Sequence, residues 1–520
     1  MNEESRTTQS VKNAGVNVIF FAIQIIVGFW SRKVFYDYLG SEVLGLDTTA
    51  QSLFEFLNIA ESGVGTAVAY FLYAPLYKKD TLTINDIVTL HGWIYRRIAT
   101  LILTVSLLMM LFFPLIFSNI TVPIWYAYAT FTVLLFGNML GYYVNYRQSL
   151  LAADQKQYKV TKATLTSNIV LKVALILYLP YSKHPFLFYL VTTIVGYVAG
   201  SVWLNRVISC EYPWLKPSKM SGKELLKKYP EVFEKTKQLF VHKIGSFIVF
   251  YCTPLIMYFF SSLTIVAYYG NYQAVIDKSK SLMNHAFSGT VAGVGNLIAS
   301  NDYERMIKVF WELTDSRFFM STSLVLILAL ITEPFISLWL SPTYLLSKPL
   351  LLLILAKVWL YLNRSVIDNY KEGFGLFSDV WAPIAEGAVN LSVSVIGGFL
   401  WGIEGVLLGG IVSDVVIVYG WRPYFLFSKG LRKSYVKEFL CPYLRRLAIV
   451  LFFATIQYVT LAYALPPVGS FSTLLVHAIV LTIVVVTYMY IILYLFTNGM
   501  KSFHLRIVGL VKSKINIEKK

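Results

Sequence analysis

Residues 51–62, QSLFEFLNIAES, and residues 273–284, QAVIDKSKSLMN, carry polar side chains at the same spacing within apolar surroundings. The polar residues are Gln51, Glu55, Asn58 and Ser62 in the first stretch, and Gln273, Asp277, Lys280 and Asn284 in the second. Steps of four, three and four residues at about 100° each place every set on one narrow face of an α-helix. Such a face is costly in hydrocarbon unless it contacts protein or water, so the two faces predict a central polar cavity in a duplicated fold.

The composition identifies a membrane protein. Of 520 residues, 57% are hydrophobic and only 14% are charged, and the mean hydropathy is +0.61. Apolar runs long enough to cross about 30 Å of hydrocarbon recur from end to end. We predict an all-α, polytopic protein with about fourteen transmembrane helices. The predicted spans are 13–38, 44–74, 92–118, 122–146, 160–181, 184–208, 238–260, 263–298, 316–340, 349–369, 382–401, 403–427, 443–464 and 472–496.

Further residues repeat between the two halves at offsets of 220 to 224. The pairs are Arg97 and Pro114 with Arg317 and Pro334, the run 145–148 with 369–372, and Thr164 and Asn168 with Glu386 and Asn390. Six predicted helices separate the members of each pair, so the halves are parallel repeats about an axis along the membrane normal.

This duplication predicts the domain organisation. Residues 1–208 form an N-lobe of six helices, and residues 238–427 form a matching C-lobe. The segments outside the repeats are a basic cytoplasmic linker at 209–237, a cytoplasmic loop at 428–442, a helix pair at 443–496 and a basic cytoplasmic tail at 497–520. The helix pair has no counterpart in the first half, so we expect it to be peripheral.

The net charge of +17 follows a membrane pattern. Most Lys and Arg residues fall at the two termini or in alternate loops, which predicts that both termini are cytoplasmic. Basic loops then contact anionic headgroups, and nucleic acid is not an expected partner. The three cysteines are scattered, and no metal site or cofactor is expected.

Motifs around the first two predicted helices indicate a family. Asn13 and Arg32 precede Leu39-Gly40 and Leu44-Gly45-Leu46, and the runs AESGVGTA at 60–67 and YAPLY at 73–77 follow. In these features, and over essentially its whole length, the chain resembles the polysaccharide or O-antigen flippases of the multidrug/oligosaccharidyl-lipid/polysaccharide exporter superfamily. The resemblance implies a V-shaped pair of six-helix lobes that alternates between inward-open and outward-open states.

The resemblance also implies the substrate and its surroundings. It predicts flipping of a polyprenyl-pyrophosphate-linked oligosaccharide from the cytoplasmic to the periplasmic leaflet of a bacterial inner membrane, for O-antigen, capsule or exopolysaccharide synthesis. Membrane lipids are expected partners, and a polysaccharide polymerase and chain-length machinery are candidate protein partners.

A diphosphate crossing hydrocarbon needs a hydrated path lined by cations. Candidate cations within the predicted spans are Arg32, Lys33, Lys172, Lys243, Lys278, Lys280, Lys357 and Arg364. Four of them, Arg32, Lys280, Lys357 and Arg364, join the two polar faces as the predicted substrate site. Other interpretations remain open: Arg32 could extend to headgroups, and Lys280 and Arg364 could pair with Asp277 and Asp368, respectively.

The chain lacks the GxxxxGK[ST] loop of ATP-driven transporters, so we predict a secondary transporter. Acids within the predicted spans could carry H⁺ or Na⁺ as the coupling ion. The candidates are Glu55, Glu61, Asp277, Glu386 and Asp414, with the repeat-related Glu55 and Asp277 ranked first. Each acid could instead be only an ion-pair partner.

Other functions stay open. A multidrug antiporter of the same superfamily would favour an acidic cavity, and a peptidoglycan-precursor flippase shares fourteen helices and a cationic cavity. A membrane glycosyltransferase or polymerase generally needs a sizeable extramembrane loop with catalytic groups. The predicted periplasmic loops are short here, so we do not expect an enzyme.

Overall fold

The fold is all-α, as predicted, and forms two compact units, Met1–Ala267 and Tyr268–Lys520. No β-strand occurs among the residues that the structure describes. The units meet inside the helix Leu263–Phe287, so the predicted linker belongs to the first unit as far as it is described. The computed structural model describes residues 6–61, 64–154, 156–234, 236, 252–287, 294, 297–298, 302–376 and 378–518.

The first unit surrounds an apolar core that includes Leu46, Phe54, Ile87 and Phe131. Its helices are α1 (Arg6–Leu57), α2 (Val64–Lys78), α3 (Thr81–Met110), α4 (Phe113–Ile116), α5 (Trp125–Tyr143), α6 (Gln148–Ala153), α7 (Gln157–Tyr178), α8 (Pro185–Glu211) and α9 (Gly222–Lys228).

The helix α1 contains two predicted spans, joined at Gly40. The φ angle of Gly40 is 81°, a left-handed conformation that glycine adopts without steric cost. The second predicted span, 44–74, is not one α-helix, because residues Asn58–Glu61 form a 3₁₀ turn before α2 begins at Val64. The regular α-helical spacing assumed for the polar face therefore ends at Leu57, because the tighter 3₁₀ turn changes the angle between successive side chains, and Ser62 lies outside the described residues.

The second unit contains the remaining helices and a core built around Phe310, Phe318, Tyr370 and Phe427. Its α-helices are α10 (Leu263–Phe287), which begins in the first unit, α11 (Tyr303–Trp339), α12 (Lys348–Gly373), α13 (Trp381–Ser413), α14 (Arg422–Phe425), α15 (Cys441–Ala464), α16 (Phe471–Phe496) and α17 (Asn498–Glu518). Wider π-helical turns at Asp414–Trp421 and Leu426–Gly430 flank α14, so that one helical rod runs from Gly402 to Gly430.

Two predicted spans fold back on each other inside α13. The reversal occurs at Gly402, whose φ is 61°. On the two sides of the reversal, Gly397 and Gly405 face each other so closely that a Cβ built on Gly405 would lie 1.9 Å from the Gly397 carbonyl oxygen. Small residues allow this backbone contact, as is common between membrane helices.

Eight stretches of described helix are long and apolar enough to cross a membrane. One of them, Trp381–Gly430, contains two predicted spans on either side of Gly402. Together with the remaining helices, these stretches make the protein a polytopic membrane protein.

The C-terminal helices, which we expected to be peripheral, pack with part of their surface against the core of the second unit. Tyr443 of α15 and Met489 of α16 enter the same buried core as Phe310 of α11. The helices α16 and α17 both pack along α11. Sequence reasoning missed this arrangement because it treated the helix pair as an addition outside the repeats, although α11 offers it an apolar face.

Candidate functional site

The predicted polar face of α10 lies on a continuous helix. Lys280 Nζ is 2.6 Å from Asp277 Oδ1, so these residues form the predicted ion pair. Gln273 is half-buried, whereas Asp277 and Asn284 are exposed. The pair leaves most of the Asp277 side chain open to a polar ligand or to water.

The polar faces of α10 and α12 meet at an aromatic ring. Lys280 Nζ lies 5.3 Å from the centre of the Tyr361 ring, a cation–π distance. One helical turn earlier on α12, the Lys357 side chain packs against Gly410 of α13, where an added Cβ would lie 2.8 Å from Nζ. Lys357 is half-buried and forms no ion pair with any carboxylate in the described part of the chain. Two cations thus share one region of the second unit.

Arg364 belongs to a ring of alternating charges. Its Nε donates to Asp368 Oδ2 at 3.0 Å, and its Nη1 lies 3.3 Å from Glu386 Oε1. Arg422 closes the ring, because its Nη1 donates to Asp368 Oδ1 at 2.6 Å and its Nη2 to Glu386 Oε2 at 2.5 Å. Two guanidinium groups therefore share two carboxylates, and the ring is neutral. The predicted pairing of Arg364 with Asp368 is present.

Asp414 stands beside this ring. Its Oδ1 atom is 3.5 Å from Arg364 Nη1, but this oxygen accepts no hydrogen bond in the part of the chain that the structure describes. Asp414 is almost fully buried, and Glu386 is completely buried. Counting Lys357, three cations and three carboxylates balance in this region, with Lys357 the only one of the six outside a direct ion pair.

In the first unit, Asp47 organises the polar residues near Arg32. The Gln51 amide donates to Asp47 Oδ2 at 2.7 Å, and the Tyr189 hydroxyl donates to Oδ1 at 2.8 Å. Arg32 Nη2 lies 3.5 Å from the Ala267 carbonyl oxygen. Gln51 therefore donates a hydrogen bond to a buried carboxylate. Asp47, which accepts this bond, was not among the residues singled out from the sequence.

A second polar cluster surrounds the 3₁₀ turn. The Tyr95 hydroxyl donates to Glu61 Oε1 at 2.5 Å, and the Tyr142 hydroxyl lies 2.9 Å from both Glu61 Oε2 and Asn58 Oδ1. The amide of Asn58 reaches Asn138 Oδ1 at 3.5 Å. Glu55 is half-buried nearby on α1, and the predicted site residue Ser62 lies outside the described residues.

The structure brings predicted residues together within each unit, with partners that the sequence did not indicate. Those partners are Arg422 in the second unit, and Asp47, Tyr95, Tyr142 and Tyr189 in the first. Arg422 lies near the end of a predicted span, where basic residues are common, and tyrosines are common at membrane interfaces. Neither residue type therefore indicated a buried partner from the sequence. No group of three or more His, Cys, Asp or Glu side chains with metal-binding geometry occurs among the described residues.

Outside the predicted spans, a charged cluster fixes the loop before α7. Lys156 Nζ contacts Asp154 at 2.5 Å and Glu211 at 2.8 Å. Partial burial alone would lower the pKa of Lys156, but the hydrogen bonds and charges of these carboxylates outweigh it, so that its pKa lies above the ordinary lysine value. This lysine therefore stays charged and holds the loop to the end of α8.

Comparisons with known proteins give the fold but no sequence family. No family model and no curated protein matches the sequence. The lipid II flippase MurJ, in an inward closed conformation, is 15% identical, with 92% of this chain and 98% of that chain covered and a TM-score of 0.65.

Two transporters of the same superfamily also match. An inward-facing multidrug resistance MATE family transporter is 12% identical, with 82% and 99% covered and a TM-score of 0.59. A superfamily transporter from Pyrococcus furiosus, described as having a binding pocket of reverse polarity, is 14% identical, with 83% and 98% covered and a TM-score of 0.52. At such identities the matches establish the fold alone, which is the helical fold of these solved transporters.

Proposed function

We propose that this protein is a secondary transporter that flips polyprenyl-pyrophosphate-linked oligosaccharide repeat units from the cytoplasmic to the periplasmic leaflet by alternating access. The transporter resides in the bacterial inner membrane with both termini in the cytoplasm. It is coupled to H⁺ or Na⁺ and supplies surface polysaccharide synthesis, where a polymerase and chain-length machinery take up its product.

The observation that carries this proposal is the cation Lys357. Its ammonium group lacks a carboxylate in ion-pair contact within the described residues, and Lys280 lies on the neighbouring face beside Tyr361. A diphosphate would supply Lys357 with an anionic partner and would contact Lys280 beside its partner Asp277, and an aromatic ring such as Tyr361 can pack against a sugar. A cationic drug would instead meet two ammonium groups, which disfavours the multidrug antiporter.

Arg364 has a different role in this proposal from Lys357. Its guanidinium is already occupied by three carboxylates, so it contributes to the substrate site by holding α12 and α13 in place. Removing one partner of a buried ion pair typically costs about 3–5 kcal/mol, which makes a structural role sufficient to explain this residue.

A second candidate is the flipping of a peptidoglycan precursor. The likeness to a lipid II flippase favours it, because that protein matches over 98% of its own length. The two lipid-linked substrates share the diphosphate and the prenyl chain, so Lys357 and Lys280 suit both. The attached sugars distinguish them.

The test is mass spectrometry of polyprenyl-linked intermediates in cells depleted of the protein and complemented with variants. Lys357→Gln and Lys280→Gln are expected to accumulate a completed lipid-linked repeat unit. Lys33→Gln, which removes an exposed lysine 3.8 Å from Asp37, is the matched control and should clear that pool.

Each result assigns the function. Accumulation of a peptidoglycan precursor would replace the first candidate with the second. An unchanged lipid-linked pool together with sensitivity to cationic dyes would overturn both and favour the drug antiporter.

A further inference from the structure

The carboxylate of Glu61 sits between two tyrosines at a break in a predicted transmembrane helix. Tyr95 of α3 donates to one carboxylate oxygen at 2.5 Å, and Tyr142 of α5 lies 2.9 Å from the other. Both tyrosines are buried. Over the described ranges no Lys or Arg pairs with Glu61, so its charge is stabilised by hydroxyl groups and not by a cation.

The Tyr142 hydroxyl has two acceptors but only one proton. Glu61 Oε2 and Asn58 Oδ1 both lie 2.9 Å from its oxygen. A phenol donates one hydrogen bond at a time and can accept others. One of the two contacts must therefore change whenever the protonation of Glu61 changes.

We propose that Glu61 is the site that binds and releases the coupling proton, with Tyr142 as a positioning residue that serves both protonation states. When Glu61 is ionised, Tyr95 and Tyr142 both donate to it. When Glu61 takes a proton from water on Oε2, this new O–H donates to the Tyr142 oxygen, and Tyr142 turns its own proton to Asn58. Release reverses these steps and returns the proton to water, so only the O–H bond of Glu61 forms and breaks.

Both states keep the carboxyl oxygens and the Tyr142 hydroxyl hydrogen-bonded. An unsatisfied buried polar group costs about 1–3 kcal/mol, and in both states Glu61 and Tyr142 avoid this cost, whereas the part-buried Asn58 Oδ1 loses the Tyr142 donor when Glu61 is ionised. Asn58 also connects the switch to the helix break, because it begins the 3₁₀ turn and reaches Asn138 on α5. Short 3₁₀ stretches within helices often mark functional hinges.

Other titratable groups face this cluster. Glu55 precedes the turn on α1 and is the competing carboxyl group. His91 on α3 packs its ring 4.1 Å from that of Tyr95, and its Nδ1 is 3.1 Å from the Ser149 hydroxyl. Neither residue hydrogen-bonds to Glu61 in the described structure, which leaves the two tyrosines as its donors there.

The inference deepens the ion coupling of the proposed function, and it is tested without a transport substrate. Infrared difference spectra of the full-length protein in lipid nanodiscs are recorded across a pH titration, and the protonated-carboxyl band is followed. Glu61→Gln is expected to remove one titrating band, whereas Glu55→Gln leaves that band in place. Tyr142→Phe is expected to keep the band but to move its midpoint to higher pH by about one to two units, because the carboxylate loses a charge-assisted hydrogen bond.

Two results would overturn the inference. Loss of the band in Glu55→Gln but not in Glu61→Gln would move the site to Glu55, and an unshifted midpoint in Tyr142→Phe would remove Tyr142 from it. The Tyr142→Phe variant leaves the carboxyl group unchanged, so the test stands if Glu61→Gln does not fold. A negative result for Glu61 would not contradict the proposed lipid-linked substrate, because accumulation of that substrate is measured in a separate experiment.

Discussion

Arg446 of α15 donates from Nε to Asp315 Oδ1 of α11 at 2.7 Å. The second oxygen of the same carboxylate accepts the backbone N–H of Gly499 at 3.0 Å, and the Arg446 guanidinium lies 4.0 Å from the centre of the Trp311 ring. A second bridge joins Arg506 of α17 to Glu312 at 2.8 Å. Two acids on α11 therefore hold the C-terminal helices in place.

We expect Arg446→Ala to reduce the free energy of unfolding by about 3–5 kcal/mol, because it leaves the buried Asp315 charge without its cation. Thermal unfolding of the detergent-solubilised protein measures the effect. Arg445→Ala, at an exposed neighbouring position, is the control and should change the free energy by less than about 0.5 kcal/mol. Equal losses in the two variants would show that the Asp315–Arg446 pair is not what stabilises α15.

The charged ring of the second unit predicts coupling between Glu386 and Arg422. Glu386→Gln and Arg422→Gln should each lower the thermal unfolding midpoint, because each leaves a buried partner unpaired. The double variant should lose less than the sum of the two, by about 0.5–3 kcal/mol, as contacting residues do. Strict additivity in this cycle would contradict the 2.5 Å contact between the two side chains.

Gly410→Ala tests the position of Lys357. The added Cβ would lie 2.8 Å from the end of a flexible side chain, so the ammonium group moves while the helices keep their packing. We expect transport to fall, seen as accumulation of the lipid-linked intermediate, with little change in thermal stability. Gly420→Ala, where the nearest atom is 3.5 Å away, is the control. If Gly410→Ala transports normally, the placement of Lys357 does not matter for the substrate.

Gly405→Ala should instead separate two helices. Its Cβ would lie 1.9 Å from a backbone oxygen of Gly397, which cannot move without the helix. Overpacking of this kind costs about 1–3 kcal/mol. Gly28→Ala, where a Cβ meets nothing within 4 Å, should be neutral or stabilising by up to about 1 kcal/mol. Unfolding midpoints of the two variants decide the matter, and a stable Gly405→Ala protein would argue against the close crossing.

The short helix α9, which lies in the predicted linker, should become less stable in acid. Ser221 and Glu224 form a reciprocal capping box, and the hydrogen bond from the Ser221 backbone holds the pKa of Glu224 below its ordinary value. A lowered folded-state pKa contributes stability above the unfolded-state value, and this contribution is lost as the pH falls through the folded-state value. The protection of the amides in residues 222–228 against hydrogen exchange, relative to an unfolded chain at the same pH, should therefore fall in acid. In Glu224→Gln the amide oxygen can still accept the Ser221 N–H, so this variant should keep its protection in acid and lack the pH dependence.

Sequence reasoning found the residues with unusual chemistry but not all of their partners. A lysine such as Lys357 within an apolar run stands out, because a charge in hydrocarbon needs compensation. Arg364 and Asp368 were paired correctly, since residues four apart meet on a helix. Arg422 joins them from 54 positions away, a relationship that no local spacing contains.

The polar face of the second predicted span illustrates the same limit. Gln51, Glu55 and Asn58 follow helical spacing in the sequence, but the 3₁₀ turn at Asn58–Glu61 moves the later residues out of register. The turn places Glu61, which lies outside the predicted face, between Tyr95 and Tyr142. The helical period assumes a regular backbone, and only tertiary contacts reveal where that assumption fails.

The sequence by itself determined the all-α membrane class and the identities of the charged residues within the spans, because hydropathy and helical period are properties of neighbouring residues. Only the tertiary structure decided which charges neutralise each other, where the helix through Asn58 breaks, and that the C-terminal helices share the core of the second unit. These features depend on contacts between residues far apart in the chain, whose energies arise only when folding brings the side chains together.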